Sequence, residues 1–331
     1  MQPADTLLLS RSDLAALLDP ASVIEAVDAG FRAYSSGGTI TPVRIHLEVP
    51  GSHDVMLTMP CAVTDPPVLG TKIASIFRGN MARGLPTVTS TYLLSAYDSG
   101  LPLAVMDGTY LTAIRTAAAS AVATRALARA DGAVLGIFGT GTLAEFHLRV
   151  LPVVGRYERV LVCGRSNESA RRFVERMAPG TSLPLVAMES APQVVAEADV
   201  LVTATTSREP LFDGTLARSG THVNAVGAFT PTIREVDGAL MARATVVADT
   251  LAGVRAEAGD VLLAVAEGAI GADHVRAELG EVLLGTRAGR RGADEVTLFE
   301  SVGAAFEDAV TARLAYERAL QRRIGVRFAF W

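Results

Sequence analysis

The sequence has little cysteine and no long apolar run, and these shortages exclude several classes of protein. Cys61 and Cys163 are its two cysteines, so it contains neither a disulfide framework nor the ligand spacing of a zinc site. No apolar run approaches the roughly 20 residues that span a bilayer. The N-terminus also lacks the basic and apolar regions of a signal peptide. We therefore expect a cytoplasmic protein with reduced cysteines, no metal site and no membrane partner.

Clusters of basic residues are also missing. The formal net charge is −5, and the basic residues are scattered with no lysine-rich run. This distribution argues against a nucleic-acid surface, which needs a basic patch. The chain has 331 residues, of which half are hydrophobic, so it can form one large or two ordinary globular domains.

The order of helical and strand patterns divides the chain into two domains. Strand-like patterns lie at 41–59, 69–77, 87–94 and 103–106. From residue 133 onward buried strands alternate with helices, which is typical of a doubly wound parallel sheet of the α/β class. We predict an α+β domain over 1–125, with 305–331 packing back on it, and a Rossmann domain over 126–304. We expect a site in the cleft between the domains, at the carboxyl ends of the strands.

A glycine turn follows the first strand of the predicted Rossmann domain. The apolar run 133–138 ends in Gly139-Thr140-Gly141, and a helical pattern begins at Thr142. In a dinucleotide fold the first glycine makes the turn, and the second lets the backbone approach a pyrophosphate. The N–H groups at the helix start then face the anion. This stretch predicts a dinucleotide site.

The end of the second Rossmann strand bears on the choice of nucleotide. An NAD site carries an acidic residue there, which binds the ribose hydroxyls. Here the carboxylate is missing at Gly164, and Arg165, Ser166 and Asn167 follow. A cation, a hydroxyl and an amide fit a 2′-phosphate. We predict NADPH as the cofactor, with weaker use of NADH; the alternative is that Arg165 is a solvated loop residue.

Three cations in the first domain are candidates for binding an anion. Lys72 lies in an apolar strand pattern, where a lysine must either reach water or hold an anion. Arg115 stands near the start of an alanine-rich helix, either as a surface charge or as an anion contact. Arg44 shares a strand face with His46 and Glu48, a pattern that a solvated face also explains.

Several segments together resemble the ornithine cyclodeaminase/μ-crystallin family. They cover nearly the whole chain in the right order, at 78–80, 83–86, 106–118, 139–141, 223–227, 257–260, 279–283 and 297–303. Members of that family are dimers with an α+β substrate-binding and dimerisation domain beside a Rossmann domain. They act on α-amino, α-keto or cyclic α-imino acids with a nicotinamide cofactor. The resemblance therefore implies a small amino-acid-like substrate and a homodimer.

The resemblance also implies roles for single positions. Arg44, Lys72 and Arg115 match the residues that bind the substrate carboxylate and orient the substrate. The other matching positions are Thr87 for the cofactor, Gly139, Gly141, Thr142 and Leu143 at the pyrophosphate turn, Thr205, Asn224, Val226 and Gly227 on the nicotinamide side, and Val302 in the segment that closes the site.

Two departures from the family pattern bear on the reaction. Cyclodeaminases of this family resemble one another in an acid/base aspartate at the position of Phe229, which here offers an apolar wall to the substrate pocket. They also recycle NAD, whereas Gly164 lacks the acid of an NAD site. Both departures favour the reductases of cyclic imines, which form proline or pipecolate. The alternatives are a cyclodeaminase with another base, an alanine-type amino-acid dehydrogenase, and a non-catalytic NADP-dependent ligand-binding protein.

Overall fold

The computed structural model describes residues 5–52 and 54–330. The strands are β1 (Thr6–Leu9), β2 (Thr39–Ile40), β3 (Ile45–Glu48), β4 (Val55–Thr64), β5 (Pro67–Ile76), β6 (Val88–Ser95), β7 (Pro102–Asp107), β8 (Val134–Phe138), β9 (Arg159–Cys163), β10 (Leu185–Met188), β11 (Val200–Thr203), β12 (His222–Ala225), β13 (Thr245–Ala248), β14 (Ala277–Glu278), β15 (Thr297–Glu300) and β16 (Val326–Phe328). The helices are α1 (Arg11–Leu17), α2 (Pro20–Ser35), α3 (Gly108–Leu127), α4 (Thr142–Val150), α5 (Asn167–Met177), α6 (Ala191–Glu197), α7 (Gly238–Arg243), α8 (Leu251–Glu257), α9 (Gly259–Ala266), α10 (Leu279–Leu283) and α11 (Ala305–Arg322).

The chain forms two compact units. Unit 1 runs to Arg115 and resumes at Ala304, and unit 2 is Thr116–Gly303. The sequence patterns place the first boundary at 125, near the end of α3, whereas the contacts divide the chain within that helix.

Unit 1 is built on a sheet of eight strands in the order β16-β1-β7-β6-β5-β4-β2, with β3 also paired to β4. Strands β1 and β7 run parallel, and the other neighbours run antiparallel. One face of β4 is buried at every second residue, as expected for a strand with one covered face. Helices α2 and α11 pack together, with the rings of Phe31 and Phe306 edge to face at 5.1 Å.

One predicted strand is interrupted by a turn. The pattern over 41–59 predicted continuous strand, but the chain reverses at Val49-Pro50-Gly51-Ser52 between β3 and β4. Ser52 N–H donates to the Val49 carbonyl at 3.1 Å, and Gly51 has a φ of 80°. Proline followed by a glycine with positive φ is the sequence of a type II turn.

The uncovered face of the unit 1 sheet carries several large aliphatic side chains. The register places Ile45 opposite Thr58 and Thr58 opposite Ile73, so these residues share one face. Ile45 is 62% exposed, Leu47 57% and Ile73 43%. This outer face therefore presents large aliphatic side chains to solvent within the unit.

Unit 2 contains a second sheet of eight strands in the order β10-β9-β8-β11-β12-β15-β13-β14. All neighbouring strands in it run parallel. Strands β8 and β11, at the point where the order reverses, are buried at every residue, as a sheet covered on both faces requires. The predicted combination of a doubly wound parallel sheet with an α+β unit is confirmed. Within the described residues, no helix is long and apolar enough to cross a membrane.

Candidate substrate and cofactor sites

Lys72 lies on the covered face of the unit 1 sheet. The register of β4, β5 and β6 places it between Met59 and Tyr92, which are both buried. Lys72 itself is 2% exposed, so its ammonium group does not reach water. A buried ammonium needs a charged partner, because an unpaired one is strongly destabilised.

Asp308 supplies that partner from the first turn of α11. Its Oδ2 atom lies 2.7 Å from Lys72 Nζ, and its Oδ1 atom accepts a hydrogen bond from Arg115 Nε at 2.9 Å. Arg115 Nη1 also donates to Glu307 Oε2 at 3.1 Å. Two of the three predicted cations, Lys72 and Arg115, are therefore brought to one carboxylate.

The electrostatics of this cluster follow from burial and charge. Burial lowers the pKa of Lys72 to about 8; Asp308 opposes the shift, and Arg115 and Arg44 add to it by repulsion. Burial raises the pKa of the Asp308 carboxyl, but Arg115 and Lys72 outweigh it and hold that pKa below its ordinary value. Lys72 is therefore an ammonium that releases its proton more readily than an exposed lysine.

The third cation, Arg44, lies just before β3. Extending the observed register by one residue places it opposite Met59, in the row that contains Lys72. Arg44 is half-buried, and it is close enough to Lys72 to lower its pKa. The pleat therefore puts Arg44 and Lys72 on one face, as a joint anion site requires. Its neighbours His46 and Glu48 are exposed.

The sequence reasoning missed Asp308 and Glu307. Both lie inside the helical apolar pattern that contains Phe306 and Val310, and both are fully buried. Two adjacent acids within a buried helical stripe are a signal that they meet cations from another element. The pattern does not say which cations they meet.

The glycine turn of unit 2 has the geometry of a dinucleotide cradle. Gly139 has a φ of 120°, its N–H donates to the Cys163 carbonyl at 2.9 Å, and a β-carbon on it would lie 2.5 Å from the Ala204 carbonyl oxygen. Gly141 is the N-cap of α4 and offers no side-chain cap. A β-carbon on Gly141 would meet no atom within 4 Å. The open space and the uncapped helix start at Thr142 and Leu143 fit a pyrophosphate.

The segment after β9 is organised by a helix cap. Ser166 Oγ accepts from Ser169 N–H at 3.2 Å, and Ser169 Oγ accepts from Ser166 N–H at 3.3 Å. Asn167 donates to the Glu189 carboxylate. Arg165 is exposed. Arg165 is therefore an exposed cation on a hydrogen-bonded turn at the carboxyl end of β9, where a nucleotide's ribose is held in this fold.

Glu235 joins the two loops that the resemblance assigns to the nicotinamide side. Its two carboxylate oxygens accept from Thr205 N–H at 2.5 Å and from Gly227 N–H at 2.8 Å. Asp260 in turn accepts from the N–H groups of Glu235 and Val236, at 2.6 Å and 2.9 Å. Both acids are buried, and the sequence reasoning missed both. They are positioning groups for the Thr205 and Gly227 backbone.

Four further predicted positions lie in unit 2. Asn224 is buried and donates to Thr124 Oγ1 at 3.0 Å, so its side chain belongs to a network within the unit. Val226 and Val302 are buried, and Phe229 is half-buried against the core. Their assigned contacts with cofactor and substrate stay predictions. The same holds for Thr87, which lies in unit 1 just before β6 and whose carbonyl accepts from Phe77 N–H at 2.8 Å.

A fully buried carboxyl group ends strand β15. Among the residues that the structure describes, neither oxygen of Glu300 has a hydrogen-bond partner. Burial raises the pKa of Glu300 well above its ordinary value, and the nearby Asp260, Asp249 and Glu235 raise it further. Glu300 therefore keeps its proton to a higher pH than an exposed glutamate does. Within residues 5–52 and 54–330, no group of three or more histidine, cysteine or acidic residues is arranged to hold a metal ion.

The parallel sheet, the glycine turn and the uncapped helix start define a dinucleotide-binding domain of the Rossmann type. Comparison with known families agrees: residues 4–323 match the profile of the ornithine cyclodeaminase/mu-crystallin family. The chain belongs to this family, and the membership predicted from its motifs is confirmed.

Relatives span essentially the whole chain. It is 35% identical to a Δ1-pyrroline-2-carboxylate reductase of Bacillus cereus over 325 residues, 98% of this chain and all of the relative. It is 34% identical to an alanine dehydrogenase of Archaeoglobus fulgidus over 328 residues, 99% of each chain. Its fold matches that of Thermococcus litoralis Δ1-pyrroline-2-carboxylate reductase in complex with NADH and L-proline. That match has a TM-score of 0.94 and 40% identity, over 97% of this chain and 99% of the other.

Proposed function

We propose that this protein reduces a cyclic α-imino acid, Δ1-pyrroline-2-carboxylate or Δ1-piperideine-2-carboxylate, to L-proline or L-pipecolate with NADPH. The observation that carries the proposal is the buried pair of Lys72 and Arg115 in unit 1. The family resemblance adds that Phe229 stands at the sequence position where a cyclodeaminase needs an acid. The names of the relatives support it, since two of them are Δ1-pyrroline-2-carboxylate reductases.

The cations of unit 1 bind and orient the substrate carboxylate. Arg115 is held by Asp308 and Glu307, which fix the direction of its guanidinium. A planar guanidinium in a fixed orientation binds a carboxylate through two parallel hydrogen bonds. Arg44 and Lys72 supply further positive charge on the same sheet face. Because the pair is buried, its attraction for an anion is weakly screened.

Lys72 supplies the proton. Reduction of a C=N bond places a hydride on carbon and needs a proton on nitrogen. A lysine with a pKa of about 8 is mostly protonated at neutral pH and is a stronger acid than an exposed lysine. The nicotinamide cofactor, when bound, supplies the hydride. The glycine turn and helix start of unit 2 would hold its pyrophosphate, through Gly139, Gly141, Thr142 and Leu143. Glu235 fixes the backbone of the Thr205 and Gly227 loops by accepting a hydrogen bond from each.

Residues 164–167 favour NADPH over NADH. The position of the expected acid is a glycine, and the exposed Arg165 offers positive charge to a 2′-phosphate. Charged hydrogen bonds contribute about 1.5 to 3 kcal/mol. Arg165→Ala should therefore raise the KM for NADPH at least ~10-fold and leave the KM for NADH nearly unchanged. Arg159→Ala, at the other end of β9 and paired with Glu197, is the control. Equal changes for both cofactors would contradict the assignment.

The outer face of the unit 1 sheet supports a homodimer. Contiguous exposed aliphatic side chains, such as Ile45, Leu47 and Ile73, mark interaction surfaces. The family resemblance, which implies dimerisation through this domain, also supports a homodimer. Ile73→Glu should produce a monomer in sedimentation velocity measurements, whereas the control Val186→Glu on unit 2, where Val186 is 40% exposed, should not. A monomeric wild-type protein would refute the dimer.

The central experiment is a substrate panel. Purified protein is given NADPH or NADH with each cyclic imine, and the loss of reduced cofactor absorbance is followed from acidic to neutral pH. Reduction of at least one imine is expected. No turnover with either ring at any pH would overturn the proposal.

An alanine-type amino-acid dehydrogenase is the second candidate, favoured by the similarity to the alanine dehydrogenase. In the same panel, alanine with oxidised cofactor would be turned over and the imines would not. Ammonia release from ornithine without added reductant would instead indicate a cyclodeaminase. Quenching of NADPH fluorescence by a carboxylate ligand without turnover would indicate a non-catalytic binding protein.

A further inference from the structure

Asp308 contacts both buried cations of unit 1, Lys72 and Arg115. One of its oxygens lies 2.7 Å from Lys72 Nζ, and the other accepts from Arg115 Nε at 2.9 Å. All three side chains are buried, at 0%, 2% and 4% exposure for Asp308, Lys72 and Arg115. They come from α11, β5 and α3, elements far apart in sequence, so only the fold assembles them.

We propose that Asp308 is a positioning residue for the reduction, which holds Lys72 as a charged donor beside the carboxylate-binding face of Arg115. The inference rests on the proposed function, because it assigns Asp308 a role in that reaction. It adds a residue of the last helix to a machinery that the family motifs place in the earlier strands and in the Rossmann loops.

The physical reason is the balance of charge around Lys72. Burial and the repulsion of Arg115 and Arg44 all favour the neutral amine. Asp308 opposes these effects through its charge and its contact. If the carboxylate is lost, the ammonium is left buried beside a guanidinium, and the proton leaves more easily. Asp308 therefore keeps the proton on Lys72 until the imine nitrogen takes it.

Other titratable groups surround the cluster and do not replace Asp308. Glu307 on α11 contacts Arg115, whereas the carboxylate in contact with Lys72 is that of Asp308. Tyr92 on β6 is fully buried, and burial, with the charges of Asp308 and Cys61, raises its pKa well above the ordinary value, so it stays neutral. The pKa of Cys61 on β4 is raised to about 11, chiefly by burial. Neither side chain carries a charge at neutral pH.

The sequence offers a direct probe of this arrangement, because Lys72 is the only lysine of the chain. Protein labelled with ¹³C-lysine therefore gives a single lysine side-chain signal in an NMR spectrum. Its titration reports the Lys72 pKa without any need for turnover. The expected midpoint is about 8 in the wild-type protein. In Asp308→Asn it should fall by at least ~1 pH unit, since an opposite charge within contact distance shifts a pKa by about 1 to 3 units.

Kinetics give a second readout. In Asp308→Asn, the alkaline limb of the kcat/KM profile for the imine should move to lower pH. The value of kcat at neutral pH should fall ~2-fold or more, because a Lys72 pKa lowered from about 8 to ~7 leaves about half of the side chains protonated. Binding of NADPH should be unchanged, because the glycine turn and helix start that hold its pyrophosphate lie in unit 2. Glu307→Gln is the matched control: it also removes a carboxylate from Arg115, so it should raise KM but leave the alkaline limb in place.

The outcomes separate the inference from the proposed function. A lowered Lys72 midpoint in Asp308→Asn, in a protein that reduces neither imine, would refute the proposed function and leave the positioning of Lys72 supported. An unchanged midpoint and pH profile in a folded Asp308→Asn protein would overturn the inference.

If Asp308→Asn does not fold, the Asp308→Glu variant tests the positioning role of Asp308. It keeps the charge but displaces the oxygens, so the Lys72 midpoint should stay near the wild-type value while kcat falls. A kcat and KM equal to those of the wild-type enzyme would overturn the positioning role.

Discussion

A β-carbon placed on Gly164 would lie 2.3 Å from the Oγ atom of Ser169. At the position where NAD enzymes carry an acid, at the end of the second Rossmann strand, this protein has a glycine with little space for a side chain. The turn is closed around the glycine by the cap between Ser166 and Ser169, and Thr140 Cγ2 would lie 3.0 Å away on another side. A side chain at this position would require the Ser169 hydroxyl to move and would disturb its cap on Ser166.

This contact predicts that introducing an acid at Gly164 alone will not make NADH the preferred cofactor. Gly164→Asp should destabilise the protein by about 1 to 3 kcal/mol, as overpacking does, without improving the KM for NADH. The double variant Gly164→Asp with Ser169→Ala removes the clashing oxygen and should recover part of the stability. Urea unfolding and cofactor kinetics measure both effects, with Ser169→Ala as the control. A stable Gly164→Asp protein that prefers NADH would contradict the explanation.

Gly141 predicts opposite changes in stability and cofactor binding. Its φ of −92° suits any residue, and a β-carbon there would meet open space. Gly141→Asp provides an N-cap for α4 and should raise the unfolding free energy by a few tenths of a kcal/mol. The same carboxylate repels a pyrophosphate, so the Kd for NADPH should rise at least ~10-fold. Calorimetric melting measures the change in stability, and fluorescence titration measures the change in the Kd for NADPH. The control Gly141→Asn caps the helix without a charge and should weaken NADPH binding less.

Glu235 predicts coupled losses of stability and cofactor affinity. Gln at this position offers one acceptor where two backbone N–H groups, of Thr205 and Gly227, need partners. Leaving a buried donor unsatisfied costs about 1 to 3 kcal/mol. Glu235→Gln should therefore lower the unfolding free energy by that amount and weaken NADPH binding. Glu175→Gln, at an exposed helix position, should change neither. Unchanged cofactor affinity in Glu235→Gln would remove its positioning role.

The raised pKa values of Glu300 and Asp260 predict that both acids lower the stability as the pH rises above about 4.5. The folded pKa of Glu300 is raised by burial, and that of Asp260 is raised to about 7, so the folded state binds more protons than the unfolded state. The stability that these neutral acids allow is fully present below their unfolded pKa and is lost as the pH rises through the folded values.

Glu300→Gln should therefore flatten this decline, by up to ~1.4 kcal/mol per pH unit for one proton, from about pH 4.5, the ordinary pKa of a glutamate, up to the raised pKa of Glu300. Melting temperatures measured from acidic to mildly alkaline pH test it. Buried His147 and His222, whose pKa values are lowered to about 4 and about 3, add stability as the pH rises towards 6.5, equally in both proteins. A variant that declines as steeply as the wild-type protein would show that Glu300 does not hold the proton.

Local sequence patterns were enough to predict the Rossmann unit. A parallel sheet reads as short buried strands alternating with helices, and Gly139-Thr140-Gly141 needs positive φ and an open cap, which few residues besides glycine supply. The same local logic singled out Lys72, because a lysine inside an apolar strand must meet a charge. The motifs, in their order along the chain, were sufficient to identify the family.

Partners distant in the chain were beyond that reasoning. Whether Asp308 meets Lys72 and Arg115, and whether Glu235 joins the loops of Thr205 and Gly227, depend on how separate elements pack. The turn at Pro50-Gly51 was missed for a simpler reason, since alternation on both sides of it reads as one strand.

The sequence by itself therefore determined the fold class, the nucleotide cradle and the presence of one buried lysine. Backbone conformation and hydrophobic periodicity act over a few residues and leave a readable pattern. Only the tertiary structure decided the state of that lysine. A buried charge is stabilised by groups within a few ångströms in space, whatever their separation in sequence, and here that group is Asp308, on the last helix of the chain.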